Sequence, residues 1–218
     1  MASSVGNMIS IDFEDTAKPV IKRIDADFSS FGHSLCIIDS GADHADLTYE
    51  YAAITDELKK ACAVFGKDYL RRIPEEAFMD ALPAVRRAAG DRAVLRAMHV
   101  YAENKRVDGQ VKALEEGDFH EFLRLVKESG RSSWTMLQNV TPTGSTAHQE
   151  VAFALALCEK LLGGRGACRV HGGGFAGTIQ AFVPNDMLDE FKAEMEKYLG
   201  RGRCHVLNIR REGGRREE

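Results

Sequence analysis

The chain has no long apolar run: the longest, Val151 to Cys158, is eight residues. A bilayer-spanning helix needs about 20, so no membrane span is expected. Nor is there an excess of positive charge. Lys and Arg number 29 against 33 Asp and Glu, a net charge of -4, which argues against nucleic acid or an anionic membrane surface as the main partner. Cysteine is sparse and unpaired in pattern. The five, at Cys36, Cys62, Cys158, Cys168 and Cys204, show no close spacing of a zinc site or redox motif. They read as reduced, mostly buried thiols. The seven histidines are scattered, so no histidine- or cysteine-based metal site is expected. Met1 to Asn7 has neither a basic segment nor an apolar core, so no secretory signal is expected and the expected location is cytoplasmic.

What is present suits a soluble globular protein of one large or two small domains: 218 residues, 44% hydrophobic and 28% charged. The beginning reads as strands, at Met8 to Phe13, Val20 to Ile24 and Leu35 to Ile38, the last fully buried. Leu47, Tyr51, Ile54, Leu58, Ala61 and Phe65 then recur at helical spacing, with Gly66 placed to end that helix. Pro74 and Pro83 bracket a short connecting helix. One long helix is expected through Leu95, Met98, Ala102, Val107, Val111 and Leu114, another through Phe119, Phe122, Leu123 and Val126, and a third from Ala147 to Leu162. The end returns to strands, at Cys168 to Val170, Thr178 to Val183 and Cys204 to Ile209, around one helix from near Asn185 to Gly200. Segments 1–40, 41–165 and 166–210 are thus strand-rich, mainly helical and mixed, and 211–218 is a charged tail expected to fray. Strands, then helices, then strands indicate an α+β class rather than a doubly wound one.

The densest chemical signal is Arg169-Val170-His171-Gly172-Gly173-Gly174-Phe175-Ala176-Gly177-Thr178. Gly172, Gly174 and Gly177 match G-x-G-x-x-G, but a dinucleotide site needs a helix directly after, and Thr178 onward alternates like a strand. One reading is a tight strand–strand turn needing positive φ, with no ligand. The other is a loop whose bare amides admit a phosphate or a sugar hydroxyl. Asp39, Asp43 and His44 read as a polar loop, with Asp43 or Asp46 capping a helix. Trp134, Ser132 and Ser133 read as packing and capping. Tyr51, on an apolar stripe, reads as core or as a ligand contact.

His171 to Gly177, followed by Thr178 to Val183, resembles the third signature of the galactokinases, Thr-Gly-Ala-Gly-Phe-Gly-Gly followed by a buried strand. His171 stands for the threonine, Gly173 for the alanine and Ala176 for a glycine. Four other segments agree in order. Ile38-Asp39-Ser40-Gly41 through Glu50-Tyr51 resembles the family's strand, loop and Ser-Glu-Tyr segment. Arg86-Arg87 to Glu116-Gly117-Asp118-Phe119 resembles its long helix and Leu-x-x-Gly-Asp element. Lys127-Glu128-Ser129 resembles the start of the next element, and His205-Val206-Leu207 the last strand. The chain is similar to galactokinases from Met1 to about Gly214, within the galactokinase–homoserine kinase–mevalonate kinase–phosphomevalonate kinase superfamily.

The resemblance implies the C-terminal lobe of that fold, helices on a mostly antiparallel sheet, with the N-terminal lobe missing. It implies ATP-dependent phosphorylation of galactose at the C1 hydroxyl, with Mg²⁺, in the full-length enzyme. No ATP or Mg²⁺ is expected to bind this fragment tightly. The sugar-binding segment, the phosphate-wrapping loop and the catalytic aspartate are all expected upstream of Met1, so no catalytic residue is assigned here and the fragment is expected to be inactive alone. Tyr51 matches the tyrosine that contacts the galactose. Gly172, Gly173, Gly174, Phe175 and Gly177 form the third motif near the active site. The alternatives are a non-enzymatic sugar-sensing or interaction module built from a kinase lobe, and a related kinase for another small alcohol.

Overall fold

The computed structural model describes residues 8–15, 17–42 and 47–209. β1 (Met8–Asp12) and β2 (Val20–Ile24) pair antiparallel as a separate ribbon, with Met8 opposite Ile24. β3 (His33–Asp39) is followed by α1 (Thr48–Ala63), α2 (Glu75–Asp80), α3 (Leu82–Ala89), α4 (Asp91–Glu115), α5 (Phe119–Ser132) and α6 (Glu150–Leu162). The chain ends in β4 (Ala167–Val170), β5 (Thr178–Pro184), α7 (Leu188–Leu199) and β6 (Cys204–Leu207). The second sheet has the order β4-β5-β3-β6, and every pair in it is antiparallel. Helices on an antiparallel sheet are the α+β class expected from the order of periodicities.

Alternation along the central strands explains the layering, because successive side chains point to opposite faces. Ile179, Ala181 and Val183 of β5, with Cys36 and Ile38 of β3, join one cluster under Val151, Leu155 and Cys158 of α6 and Phe191 and Met195 of α7. Phe182, one step out of phase, faces the other way into a cluster with Phe119 and Phe122 of α5 and Leu114 of α4. Phe28 completes an aromatic box there: its ring lies 5.0 Å from that of Phe182 and 5.7 Å from that of Phe122. Helices therefore cover both sheet faces. That is why the alternation that begins at Thr178 ends in two adjacent apolar residues, Phe182 and Val183, each buried on its own face.

Several boundaries differ from expectation. Pro74 and Pro83 do bracket a short helix, α2, but Pro83 also sits in the first turn of a second, α3, where its missing N–H is no loss. Two short helices therefore replace the one expected. α6 begins at Glu150 rather than Ala147, because Ser145 and Gln149 are engaged in a local turn through the Ser145 carbonyl. β6 stops at Leu207 instead of Ile209. Gly66 does mark the end of α1, in the left-handed region with φ 62°, and Lys67 N–H returns to the Cys62 carbonyl. The charged tail from Arg210, the loop residues Asp43, His44 and Asp46, and the leader Met1 to Asn7 lie outside the described residues.

The five cysteines are free and buried, and four of them, distant in sequence, meet in the α6–α7 cluster: Cys36, Cys158, Cys168 and Cys204. Burial pushes the Cys158 thiol well up. Beneath α4 lies a polar core. Glu103 accepts from Ser129, from Arg169 of β4 at 3.1 Å and from Arg106 at 2.8 Å. Burial works to raise its carboxyl pKa, but the Ser129 hydrogen bond and the two guanidinium groups outweigh it and hold the group low. One turn away, the His99 Nδ1 meets Ser132 Oγ at 2.8 Å, and burial pushes this imidazole below its ordinary value.

Two outcomes follow. Phe182→Ala should lower unfolding free energy by about 3–5 kcal/mol in urea titration, whereas Val20→Ala, at a site 69% exposed, should change it by less than about 0.5 kcal/mol. His99 is neutral when folded and protonates more readily when unfolded, so stability is complete above the unfolded pKa of about 6.5 and falls as pH drops below it. Thermal melts between about pH 7.5 and about pH 5.5 should therefore show a larger drop for the wild type than for His99→Gln.

Candidate functional site

The glycine segment closes the hairpin between β4 and β5. His171 N–H donates to the Thr178 carbonyl at 3.0 Å, and the His171 Nδ1 meets Thr178 Oγ1 at 3.0 Å, so the two flanks are tied at the mouth. Gly172, Gly174 and Gly177 all have positive φ, at 68°, 84° and 85°. Phe175 does as well, at φ 60°, a conformation that a bulky residue adopts only when its surroundings force it. Around Phe175 the Ala176 N–H donates to the Gly174 carbonyl at 2.7 Å, the i to i+2 bond of a γ-turn. The turn drives Phe175 and Ala176 inward against Leu47, while Gly172 and Gly173 stay exposed. The amides of Gly172 and Gly173 donate to no partner among the described residues.

Tyr51 meets this loop directly. Its hydroxyl donates to the Gly174 carbonyl at 2.8 Å, and its ring stands edge-on to Phe175 at 5.4 Å. The apolar stripe of α1 divides at this point. Leu58, Ala61 and Cys62 enter the cluster under α2–α4, whereas Leu47, Tyr51 and Ile54 enter the small cluster around Phe175. Tyr51 is thus half-buried beside the loop rather than in the main core.

The glycine at 173 is what permits this. A Cβ there would stand 2.8 Å from Tyr51 Cε1, so alanine would push the ring away. At Gly174 a Cβ would fall on the main-chain carbonyl oxygen of Asn139. At Gly177 the carbonyl accepts both the N–H of Ser40, at 2.9 Å, and its hydroxyl, at 2.6 Å. The end of β3 is thereby stitched to the start of β5.

Asp39 is held by its own loop and by an ion pair across the fold: one oxygen accepts the Gly41 N–H at 2.8 Å and the other faces Arg203 at 3.3 Å. Ser132 and Ser133 are buried polar groups, as packing residues should be, but Trp134 is 41% exposed and does not pack as expected. It projects from a π-helical turn, Ser133–Leu137, that ends α5.

Two participants went unassigned in the sequence. Asn139 receives the Phe175 N–H on its main-chain carbonyl at 2.6 Å and donates its own Nδ2 to the Gly173 carbonyl at 3.1 Å. The only sequence signal is a polar residue just before Val140, in a segment with no period. Glu50, next to Tyr51, is fully buried and accepts the Thr143 N–H at 2.5 Å and hydroxyl at 3.2 Å. It ties α1 to the 142–143 loop. Among the described residues, no group of three or more His, Cys, Asp or Glu side chains is placed to hold a metal ion.

Because the Asn139 carbonyl is main chain and cannot turn aside, Gly174→Ala should lower unfolding free energy by about 2–4 kcal/mol. Gly173→Ala, which only displaces a ring, should lower it by about 1 kcal/mol. Denaturant titration of the two variants checks the order.

No protein-family model matches the chain. A galactokinase of Actinobacillus pleuropneumoniae is 30% identical over 161 residues, which is 74% of this chain and 40% of that protein. The chain spans about 40% of the length of the curated relatives it matches. In structure, it superposes on Lactococcus lactis galactokinase complexed with galactose at a TM-score of 0.71, with 21% identity, covering 97% of this chain and 52% of that one. Against L. major mevalonate kinase in complex with R-mevalonate, the TM-score is 0.53 at 13% identity, covering 94% and 50%. With its co-linear segments and its helix-covered antiparallel sheet, the chain is a homologue of the galactokinases and corresponds to the C-terminal portion of the galactokinase–homoserine kinase–mevalonate kinase–phosphomevalonate kinase fold.

Proposed function

We propose that this chain is the C-terminal portion of a galactokinase-type enzyme that transfers the γ-phosphoryl group of ATP to the C1 hydroxyl of galactose. The observation that carries the reading is the bond from the Tyr51 hydroxyl to Gly174, which joins the expected sugar-contacting side chain to the third motif. The Tyr51 proton is committed to that carbonyl, so the oxygen offers its lone pairs to a substrate hydroxyl. The exposed amides of Gly172 and Gly173 offer donors beside it. Acceptor and donors side by side suit a polyol, which carries both roles on every hydroxyl.

Phosphoryl transfer depends chiefly on positioning and charge neutralisation. This chain's part is the positioning of the sugar by Tyr51 and the motif Gly172, Gly173, Gly174, Phe175 and Gly177. The phosphate-wrapping loop and the catalytic aspartate belong to the N-terminal lobe, the partner this portion requires. The proposal leaves the binding of ATP and Mg²⁺ to the N-terminal lobe and assigns no metal step to this chain, which alone would bind them weakly and be inactive. No described helix is long and apolar enough to cross a membrane, and the proposal places the enzyme in the cytoplasm. The likeness to mevalonate kinase supports a second reading, a kinase for another small alcohol, but it is the weaker of the two, at a TM-score of 0.53 against 0.71.

The test joins this chain to the N-terminal lobe of a galactokinase relative and follows ADP release with galactose, other hexoses and mevalonate. ADP formation that needs galactose is the expected result, with Tyr51→Phe lowering kcat/KM by about 10–100-fold through loss of one hydrogen-bonding group. Turnover of mevalonate alone would transfer the assignment to the second reading. Galactose binding by the folded, joined protein without ADP release would mark a sugar sensor and overturn the kinase reading.

A further inference from the structure

We infer that Asn139 is a positioning residue for the glycine loop: its carboxamide holds Gly173 so that the bare amides of Gly172 and Gly173 face outward beside Tyr51. The inference rests on the proposed role of that loop in facing the substrate, and it names what sets the loop's shape.

The placement of Asn139 comes from the end of α5. The helix closes in the π-helical turn Ser133–Leu137, and Gln138 then enters the left-handed region at φ 56°. Gln138 N–H returns to the Ser133 carbonyl at 2.8 Å. This reversal brings Asn139 against the loop, where it is 3% exposed. It then grips the loop twice, with its main-chain carbonyl on the Phe175 N–H and its Nδ2 on the Gly173 carbonyl. Between those two points lies Gly174, which has no room for a side chain because Asn139 fills the space.

The loop needs such a grip. Phe175 sits at positive φ, and a strained conformation persists only where neighbours over-determine it. The main-chain bond to Phe175 survives any substitution at 139 that keeps the backbone. Only the side-chain donor reaches Gly173, the residue whose amide is exposed. The Gly173 carbonyl is an acceptor, so the carboxamide must present its NH₂ to it. This leaves Asn139 Oδ1 buried and, among the described residues, without a partner. A buried acceptor left unpaired opposes folding, so an apolar residue of the same size would serve packing better than asparagine does. The donor toward Gly173 is what asparagine adds.

Two variants test this with readouts that a packing role would not move. Asn139→Leu keeps the branched shape and the number of heavy atoms and removes both the donor and the unpaired acceptor. The melting temperature should stay within about 4 °C of wild type or rise, while backbone ¹⁵N order parameters at Gly172 to Gly174 fall from about 0.85 to below about 0.6. Asn139→Asp adds a pH switch. A protonated carboxyl donates to the Gly173 carbonyl as the amide did, and an ionised one is repelled by it. Its folded pKa is therefore raised above the ordinary value of about 3.9. The loop should be ordered in acid and loosen as pH rises through that pKa. The wild-type loop followed over the same range controls for His171 and Tyr51. Unchanged order parameters in Asn139→Leu, or pH-independent loop order in Asn139→Asp, would overturn the assignment. The sugar reading is tested separately, by galactose titration of the joined protein in a calorimeter. Failure of that titration sinks the sugar reading, and the order parameters still decide Asn139.

Discussion

Between β4 and β5 the backbone turns through four residues of positive φ, Gly172, Gly174, Phe175 and Gly177, and the surrounding structure is arranged to hold it there. Each support comes from a different element. Tyr51 of α1 bonds the Gly174 carbonyl, Ser40 at the end of β3 bonds Gly177, and Asn139 beyond α5 bonds Phe175 and Gly173. A loop of glycines left to itself would sample many conformations. Here the cost of ordering it is met by polar contacts from parts of the chain that lie 34 to 137 residues away.

The helical layer makes those contacts rigid. Arg96 of α4 is fully buried and donates to the Leu137 carbonyl at 3.0 Å and to Glu57 of α1 at 3.0 Å. Burial pushes its guanidinium pKa down, with the Glu57 carboxylate opposing the shift. Arg92, one turn earlier, also binds Glu57 and reaches Thr143, whose backbone in turn is held by Glu50. The helix that presents Tyr51 and the turn that presents Asn139 are thus fastened to the same arginine, Arg96. A buried charge network of this kind adds little net stability against an apolar replacement, but it fixes relative positions. Here it fixes two of the side chains that touch the glycine loop, Tyr51 and Asn139.

Departures from the galactokinase pattern take on a physical meaning in this setting. Gly173 in place of alanine makes room for the Tyr51 ring, His171 in place of threonine bridges to Thr178, and Ala176 in place of glycine is buried beside Phe175 and Leu47. All three changes keep the hairpin closed and the loop packed. The antiparallel sheet beneath supplies the register: Val170 opposite Ile179 and Asp39 opposite Thr178 put the loop and the end of β3 at the same end of the sheet.

Much of this was legible in local pattern. The apolar run at Leu35 to Ile38, the alternation from Thr178, the helical stripes on α1, α4, α5 and α7, and the glycine stop at Gly66 each depend on neighbours within a few residues, so the sequence alone determined the elements and their class. The order of motifs likewise determined the family resemblance. Tertiary structure alone decided the rest. The stripe that made Tyr51 read as either core or ligand contact is one stripe in sequence, yet it divides between two clusters in space. Asn139 had no period to mark it, because its role comes from a left-handed turn at Gln138 and a partner 34 residues on. The four thiols that look scattered meet in one core for the same reason. Periodicity reports which way a side chain faces along its own element, whereas its partner across the fold is set by chain reversals and strand register.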